Sequence, residues 1–285
     1  MTTVTIPTII SHDIDTRSHD ADGTPRQMGF FTDTSICIGC KACEVACKES
    51  NQVPDDGLHW TGESYDNTSA IGCNSWRHVA FIEQTKPVQV PDEQGSGALR
   101  WLMASDVCKH CSNAACLDVC PTGALTRTEF GTVVVQEDVC NGCGYCVPAC
   151  PFGVLDKREE DGRVWKCTLC YDRLKDDMEP ACAQACPTKS IQFGELKQLR
   201  VIADERVRRL QSRGEEQAQL YLSDSTDGVG GGHAFFLLLD RPEVFGLPPD
   251  PVVTTRGLKT IWTSAGGAAL TAVAAVALAY LRGRA

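Results

Sequence analysis

Positive charge is in short supply in this chain. Its 27 Lys and Arg stand against 37 Asp and Glu, a formal net charge of −10 over 285 residues. A nucleic-acid-binding surface has to be basic, so that class is excluded. Residues 1–28 hold no basic n-region, no apolar h-region (the run TIPTII is too short) and no twin-arginine pair. The chain is therefore expected to carry no export signal of its own, and this segment reads as a mobile tail or an arm that folds on a partner. Groups for substrate chemistry are missing as well. No nucleophile stands beside a base, and neither paired acids nor an open metal position are evident. The glycines of GVGGG (228–232) lack the strand before and the helix after that a dinucleotide loop needs, so they read as a turn into the apolar strand AFFLLL. A hydrophobic content of 42% excludes wholesale disorder.

Cysteine is what the chain has in excess. There are 17, none before Cys37 and none after Cys186. Sixteen fall into four groups of four. Cys37, Cys40, Cys43 and Cys47 are spaced C-x2-C-x2-C-x3-C, as are Cys140, Cys143, Cys146 and Cys150. Cys108, Cys111, Cys116 and Cys120 are spaced C-x2-C-x4-C-x3-C, and Cys167, Cys170, Cys182 and Cys186 C-x2-C-x11-C-x3-C. Pro121, Pro151 and Pro187 follow the last Cys of three groups; Lys48 takes that place in the first. Two-residue gaps let a tight loop aim three sulfurs at one iron–sulfur cubane. The fourth Cys is expected to start a helix, point away and ligate the neighbouring cluster, with Pro in the first helical turn. Zinc sites come as two separated pairs without the third Cys and the Cys-Pro ending. Disulfides suit a small secreted chain, and C-x2-C-x2-C crowds sulfurs that would have to pair elsewhere. Sixteen ligands at four per cubane predict four [4Fe–4S] clusters.

The fold class expected is α+β: two dicluster ferredoxin-like units with four [4Fe–4S] clusters, plus a C-terminal transmembrane helix. TRTEFG and TVVV before the third group read as strand, turn and strand, and KSIQFGE after the fourth reads similarly. The linker 121–139 between second and third groups is short enough for one ferredoxin unit, whereas 48–107 is long. Nesting of the second–third unit inside the first–fourth unit is thus favoured over a sequential pairing. The expected divisions are a tail 1–28, a nested cluster region 29–195 (inner unit 100–156, insertion 50–99), a helix-and-strand extension 196–256 and an anchor with short tail 257–285. In the extension, LKQLRVIADERVRRLQSRGEEQ is an amphipathic helix with Leu199, Ile202, Val207 and Leu210 on one side. Residues 261–281, IWTSAGGAALTAVAAVALAYL, are uncharged and long enough to cross a bilayer core. Trp262 and Tyr280 sit as interfacial aromatics, Arg256, Lys259, Arg282 and Arg284 flank the run, and small residues four apart suit packing on another membrane helix.

The stretch CIGCKACEVACKESNQVP, then WLMASDVCKHCSNAACLDVCPTGAL, CNGCGYCVPACPFGV and RVWKCTLCYDRL with EPACAQACPTKSIQFG, resembles the iron–sulfur (beta) subunit of membrane-bound formate dehydrogenases. RVRRLQSRGEEQAQLYL, GVGGGHAFFLLL, PEVFGLPPDP and the single C-terminal apolar run are similar to that family in order and spacing. The cluster motifs alone are shared with electron-transfer subunits of hydrogenases and of nitrate, dimethyl-sulfoxide and polysulfide reductases; the tail narrows the choice. Nitrate reductase relatives replace one ligand Cys by Trp, and here all sixteen are Cys. The departures lie in 50–100, with the extra Cys73 and the stretch DEQGSG. The resemblance implies four ligand sets: Cys37, Cys40 and Cys43 with Cys186; Cys167, Cys170 and Cys182 with Cys47; Cys108, Cys111 and Cys116 with Cys150; Cys140, Cys143 and Cys146 with Cys120. It also implies a non-catalytic electron-transfer subunit. Its partners would be a molybdopterin-containing (molybdenum or tungsten) catalytic subunit that oxidises formate and an integral-membrane quinone-reducing subunit, with no nucleic acid. The C-terminal helix would anchor it in the membrane, the bulk at the extracytoplasmic face by co-export, or alternatively at the cytoplasmic face.

Two rivals stay open on the residues alone: the same relay role beside a hydrogenase or a sulfur-compound enzyme, and a structural zinc protein. Outside the ligand set, Cys73 reads as a small buried or semi-exposed thiol. His59, His78 and His110 read as packing or hydrogen-bonding residues. Lys41 and Lys166, inside or beside the Cys loops, are either solvated surface cations or charges that raise a cluster's potential.

Overall fold

A computed structural model describes residues 14–57, 60–62, 65–86, 98–253 and 255–283. Residues 1–13 of the expected tail, His59, the stretch DEQGSG and Arg284 lie outside them. In chain order the elements begin with β1 (Met28–Asp33), a 3-10 turn (Thr34–Ile36) and α1 (Ala42–Asn51). The long strands β2 (Arg77–Lys86) and β3 (Ala98–Val107) follow, then α2 (Ala115–Asp118), β4 (Leu125–Arg127), β5 (Val133–Val135) and α3 (Cys146–Ala149). Next are β6 (Asp156–Lys157), β7 (Val164–Trp165), α4 (Tyr171–Lys175), α5 (Ala181–Gln184) and β8 (Ile191–Glu195). The chain ends with α6 (Leu196–Gln211), β9 (Gln219–Tyr221), β10 (Ala234–Leu238) and α7 (Leu258–Arg282).

The core is a four-stranded sheet in the order β8-β1-β10-β9. β1 runs parallel to β10, pairing Phe30 with Ala234 and Phe31 with Phe235, and antiparallel to β8, pairing Phe30 with Phe193. Both central strands are buried along their whole length, which is why AFFLLL is a continuous apolar run without polar alternation. α6 lies against β1 and β8, burying Leu196, Leu199, Ala203 and Leu210. Ile202 and Val207 sit half-buried at the edges of that stripe. Residues 196–253 thus complete the sheet begun by β1 and belong to the same compact unit as the cysteine region.

Three smaller two-stranded sheets carry the loops: β2–β3, β4–β5 and β6–β7. β4 and β5 realise the expected TRTEFG–TVVV hairpin, with Leu125 opposite Val135. The described part of the expected tail is docked. The backbone N–H of fully buried Ser18 donates to the Asp177 carboxylate at 2.8 Å, and Ile14 packs over Gly194, where an added Cβ would lie 2.4 Å from Ile14 Cγ2.

The Cys-Pro geometry differs from the sequence expectation. The fourth cysteines do not start helices: Cys120, Cys150 and Cys186 follow the short helices α2, α3 and α5. Each Pro then occupies a tight turn, in which the N–H of Gly123, Gly153 or Lys189 donates to the carbonyl of Cys120, Cys150 or Cys186 at 3.2–3.3 Å. Proline cannot continue the preceding helix, because it lacks the N–H and clashes with the carbonyl four residues back. In the first group Lys48 raises no such barrier, and α1 runs on to Asn51.

α7 belongs to a second unit, residues 254–285. Its 25 residues span about 37 Å at 1.5 Å per residue. It is long and apolar enough to cross a membrane by length and composition, and none of its residues is buried.

Phe31 is fully buried and stacks on Phe235 with ring centroids 5.4 Å apart. Phe31→Ala is expected to destabilise the sheet by about 3–5 kcal/mol, seen as a lower thermal midpoint in calorimetry. A midpoint unchanged from the native protein would show that the sheet does not depend on this contact.

Candidate metal centres

Each C-x2-C loop turns on a residue in the left-handed region just before its second Cys: Gly39 (φ 65°), His110 (φ 45°), Gly142 (φ 70°) and Leu169 (φ 58°). Glycine reaches this conformation freely, whereas His and Leu adopt it only where packing over-determines it. His110 and Leu169 are 1% and 0% exposed, and the His110 Nδ1 accepts the Val133 N–H at 3.1 Å. The glycines are needed for space too. An added Cβ at Gly142 would lie 2.0 Å from the Gly162 carbonyl oxygen, and one at Gly39 2.6 Å from a Phe81 ring carbon.

The loops bring together sulfurs far apart in sequence. Cys37, Cys40, Cys43 and Cys186 line one space. Cys120, Cys140, Cys143 and Cys146 line another. Cys47 is pushed well above the ordinary thiol range by burial and by facing Cys167, Cys182 and Cys170. Cys111 is raised likewise, by burial and by Cys108, Cys150 and Cys116. The quartets adjoin one after another: Cys182 feels Cys43, Cys167 feels Cys108, and Cys116 feels Cys146. α1 packs on α5 and α2 on α3, so helices of the first and fourth groups meet, as do those of the second and third. Cys40 and Cys143, in the two terminal quartets, are exposed, while Cys182 in the interior is 4% exposed.

Burial raises other thiols as well: Cys116 and Cys167 are pushed up to about 12, and Cys182 and Cys146 to about 11. Ionised sulfur there needs a compensating charge or metal. Donors aimed at sulfur are present. The Ser105 hydroxyl lies 3.3 Å from Cys43 Sγ, the Leu169 N–H reaches Cys167 Sγ at 3.3 Å, and Thr122 and Thr188 sit beside Cys120 and Cys186. The amide of Asn51 reaches Cys170 Sγ at 3.6 Å and Cys47 Sγ at 3.8 Å. It does so because α1 runs one turn past Cys47.

Among the described residues the most deeply buried cations are Arg77, Lys109 and Lys166, at 2%, 0% and 1% exposure. Lys166 is therefore no solvated surface residue; its ammonium donates to the Val133 and Cys167 carbonyls. Lys109 pairs with Asp106 and lies over the rings of Phe152 and Phe236. Lys41 is held by Asp66 at 2.6 Å and Glu44 at 3.4 Å, so its charge is largely offset. His78 also bonds Asp66. Cys73 is half-buried and stands apart from the quartets, with Asp156 and Arg158 as its nearest charges. Arg77 and Lys109 are not legible as site residues in the sequence. Nothing in the local pattern marks a buried cation at the start of one strand and just past the end of another.

Comparison with known proteins bears directly on these quartets. A family model described as a 4Fe–4S dicluster domain matches residues 99–196. The chain is 41% identical over 243 residues to the iron–sulfur subunit of the nitrate-inducible formate dehydrogenase of Escherichia coli (strain K12), covering 84% of this chain and 78% of that one. It is 41% identical over 259 residues to the formate dehydrogenase iron–sulfur subunit of Haemophilus influenzae, covering 90% and 77%. It is also 35% identical over 179 residues, 61% of this chain and 76% of the relative, to a subunit of the anaerobic dimethyl sulfoxide reductase of Escherichia coli (strain K12). The chain belongs to the iron–sulfur subunits of formate dehydrogenases. [4Fe–4S] clusters are the family's cofactor, and the site fits them on its own terms. Its donors are thiols in sets of four, which is the donor set a cubane takes.

Gly142→Ala is expected to displace the third loop, since the new Cβ has backbone on one side and the strained φ costs about 1–3 kcal/mol. Iron analysis of the purified protein should fall by one cluster. Full iron content would show that the Gly162 turn can yield.

Proposed function

We propose that this chain is the electron relay of a formate-oxidising complex, passing electrons from a molybdenum- or tungsten-pterin catalytic subunit to an integral-membrane subunit that reduces quinone. The observation that supports this most is the succession of four sulfur quartets with an exposed cysteine in each terminal set. When bound, each [4Fe–4S] cluster supplies one-electron oxidation and reduction with no substrate bond made or broken.

The proposed ligand sets are Cys37, Cys40, Cys43 and Cys186; Cys47, Cys167, Cys170 and Cys182; Cys108, Cys111, Cys116 and Cys150; and Cys120, Cys140, Cys143 and Cys146. In this reading the second–third unit is nested inside the first–fourth unit. Cys40 and Cys143 bring the ends of the relay to the surface, where partner subunits can come within electron-transfer reach. The apolar packing around Cys167 and Cys182 keeps water from the middle, which lowers the local dielectric and leaves potentials to nearby charges and sulfur-directed donors. Ser105 and Asn51 supply such donors, and Lys166 holds a charge beside the second and third sets. α7 anchors the subunit in the bilayer against the quinone-reducing partner, with the bulk of the chain on the extracytoplasmic face. The likeness to the dimethyl sulfoxide reductase subunit supports the same relay role beside another molybdenum enzyme. The higher identity over a longer span favours formate.

Cys116→Ser tests the ligand sets. It is expected to abolish or convert the cluster held with Cys150 and to leave the one held with Cys120 intact in paramagnetic resonance spectra. Loss of the cluster held by Cys140, Cys143 and Cys146 would overturn the crossed arrangement.

Cys143→Ala tests the role, in a complex whose assembly is verified by co-purification. Formate-to-quinone turnover is expected to drop roughly tenfold or more, while formate-to-dye turnover at the catalytic subunit changes less than about twofold. Equal loss of both activities would mean that the chain does more than conduct.

A further inference from the structure

Arg77, at the start of β2, differs from the other two buried cations. The ammonium of Lys109 is held by Asp106 and the Val107 carbonyl, and that of Lys166 by two backbone carbonyls. Arg77 Nη1 donates to the Ser105 hydroxyl at 3.0 Å and the Ser105 carbonyl at 3.4 Å. Its Nε and Nη2 are buried with no oxygen or nitrogen acceptor, and the hydrogen-bonding group the guanidinium meets besides Ser105 is the Cys182 sulfur. The guanidinium lies over the Phe30 ring, 5.1 Å from the centroid, which closes one of its faces. The charges it faces most closely are Cys182, Cys43, Cys167 and Cys47. Cys43 belongs to the first quartet and the other three to the second, so the side chain sits at their junction.

A guanidinium is charged at every accessible pH, and burying it with unmade hydrogen bonds is strongly unfavourable unless an anion is present. The protein places only thiols there. The acceptors open to these N–H groups are the cysteine sulfurs and what they hold, and a thiolate-ligated iron–sulfur cluster is an anion rimmed with sulfur acceptors. Arginine suits the position because its planar fork can engage Ser105 with one nitrogen and present two more N–H groups in other directions.

We propose that Arg77 is the shared counter-ion of the first two clusters. Its Nε–H and Nη2–H donate to their sulfur atoms, and its charge stabilises the reduced form of both. The inference rests on the ligand sets assigned above and adds a residue that sets the potential of that pair.

The test uses the full chain in its complex, loaded with clusters. Arg77→Gln removes the charge at similar size. In redox titrations followed by paramagnetic resonance, the reduced-to-oxidised ratio of the first two clusters at fixed ambient potential should fall about tenfold, or about 59 mV for a one-electron couple. The clusters of the Cys108 and Cys140 sets should not move. Arg77→Lys should restore most of the ratio. Native protein carrying 15N-arginine should show nitrogen hyperfine coupling to the reduced first and second clusters, and Arg77→Lys should lose it. Unchanged potentials in a fully loaded Arg77→Gln protein would overturn the proposal. So would the absence of arginine coupling in the native protein, a measurement that stands even if Arg77→Gln fails to load. Failure of the underlying ligand sets shows separately, as fewer than four [4Fe–4S] signals in the native chain.

Discussion

Negative sulfur held away from water is the constraint on which this fold depends. A thiolate in an apolar interior needs a partner charge, a metal or a proton, and here many thiols share one interior. Burial drives Cys116, Cys167 and Cys182 above the ordinary thiol range. A metal bound by such thiols displaces their protons, so its affinity depends on pH. The buried cations follow from the same constraint. Arg77, Lys109 and Lys166 would be costly in an ordinary core, and here each acts on a nearby cysteine: Arg77 on Cys182, Lys109 on Cys111 and Lys166 on Cys116.

Crossing of the fourth cysteine turns this local chemistry into architecture. Cys186 reaches the space lined by Cys37, Cys40 and Cys43, and Cys120 reaches that of Cys140, Cys143 and Cys146. Each of these two spaces thereby brings together chain segments far apart in sequence. The central sheet supports the same closure: β1 lies between β8 and β10, so strands from both ends of the cysteine region share one set of hydrogen bonds. The Arg206 guanidinium extends it, donating to the Asp33 carboxylate at 2.8 Å just ahead of the first Cys loop.

Small sequence differences have large local consequences in such a frame. Where Pro follows the last Cys, the helix stops and a tight turn sends the chain back to the sheet. Where Lys48 replaces it, α1 continues and delivers the Asn51 amide to two sulfurs. Four related loops thus offer different hydrogen bonds to their sulfurs, one of the means by which clusters of identical composition acquire different potentials.

The sequence by itself determined the chemistry: cysteine spacing named the cofactor and its number, apolar runs marked β10 and α7, and helical spacing of apolar residues marked α6. These are local signals, each written in adjacent residues. It misplaced the Cys-Pro helix start, because a proline that opens one helix and a proline that closes another look alike in sequence. Only the tertiary structure decided that residues 14–27 dock on the body, that β1 sits at the centre of the sheet, and that Arg77 lies between two quartets. Each of those depends on segments more than a hundred residues apart being brought together. A side chain's charge is written in the sequence, but its burial and its partners are set by what the rest of the chain places around it.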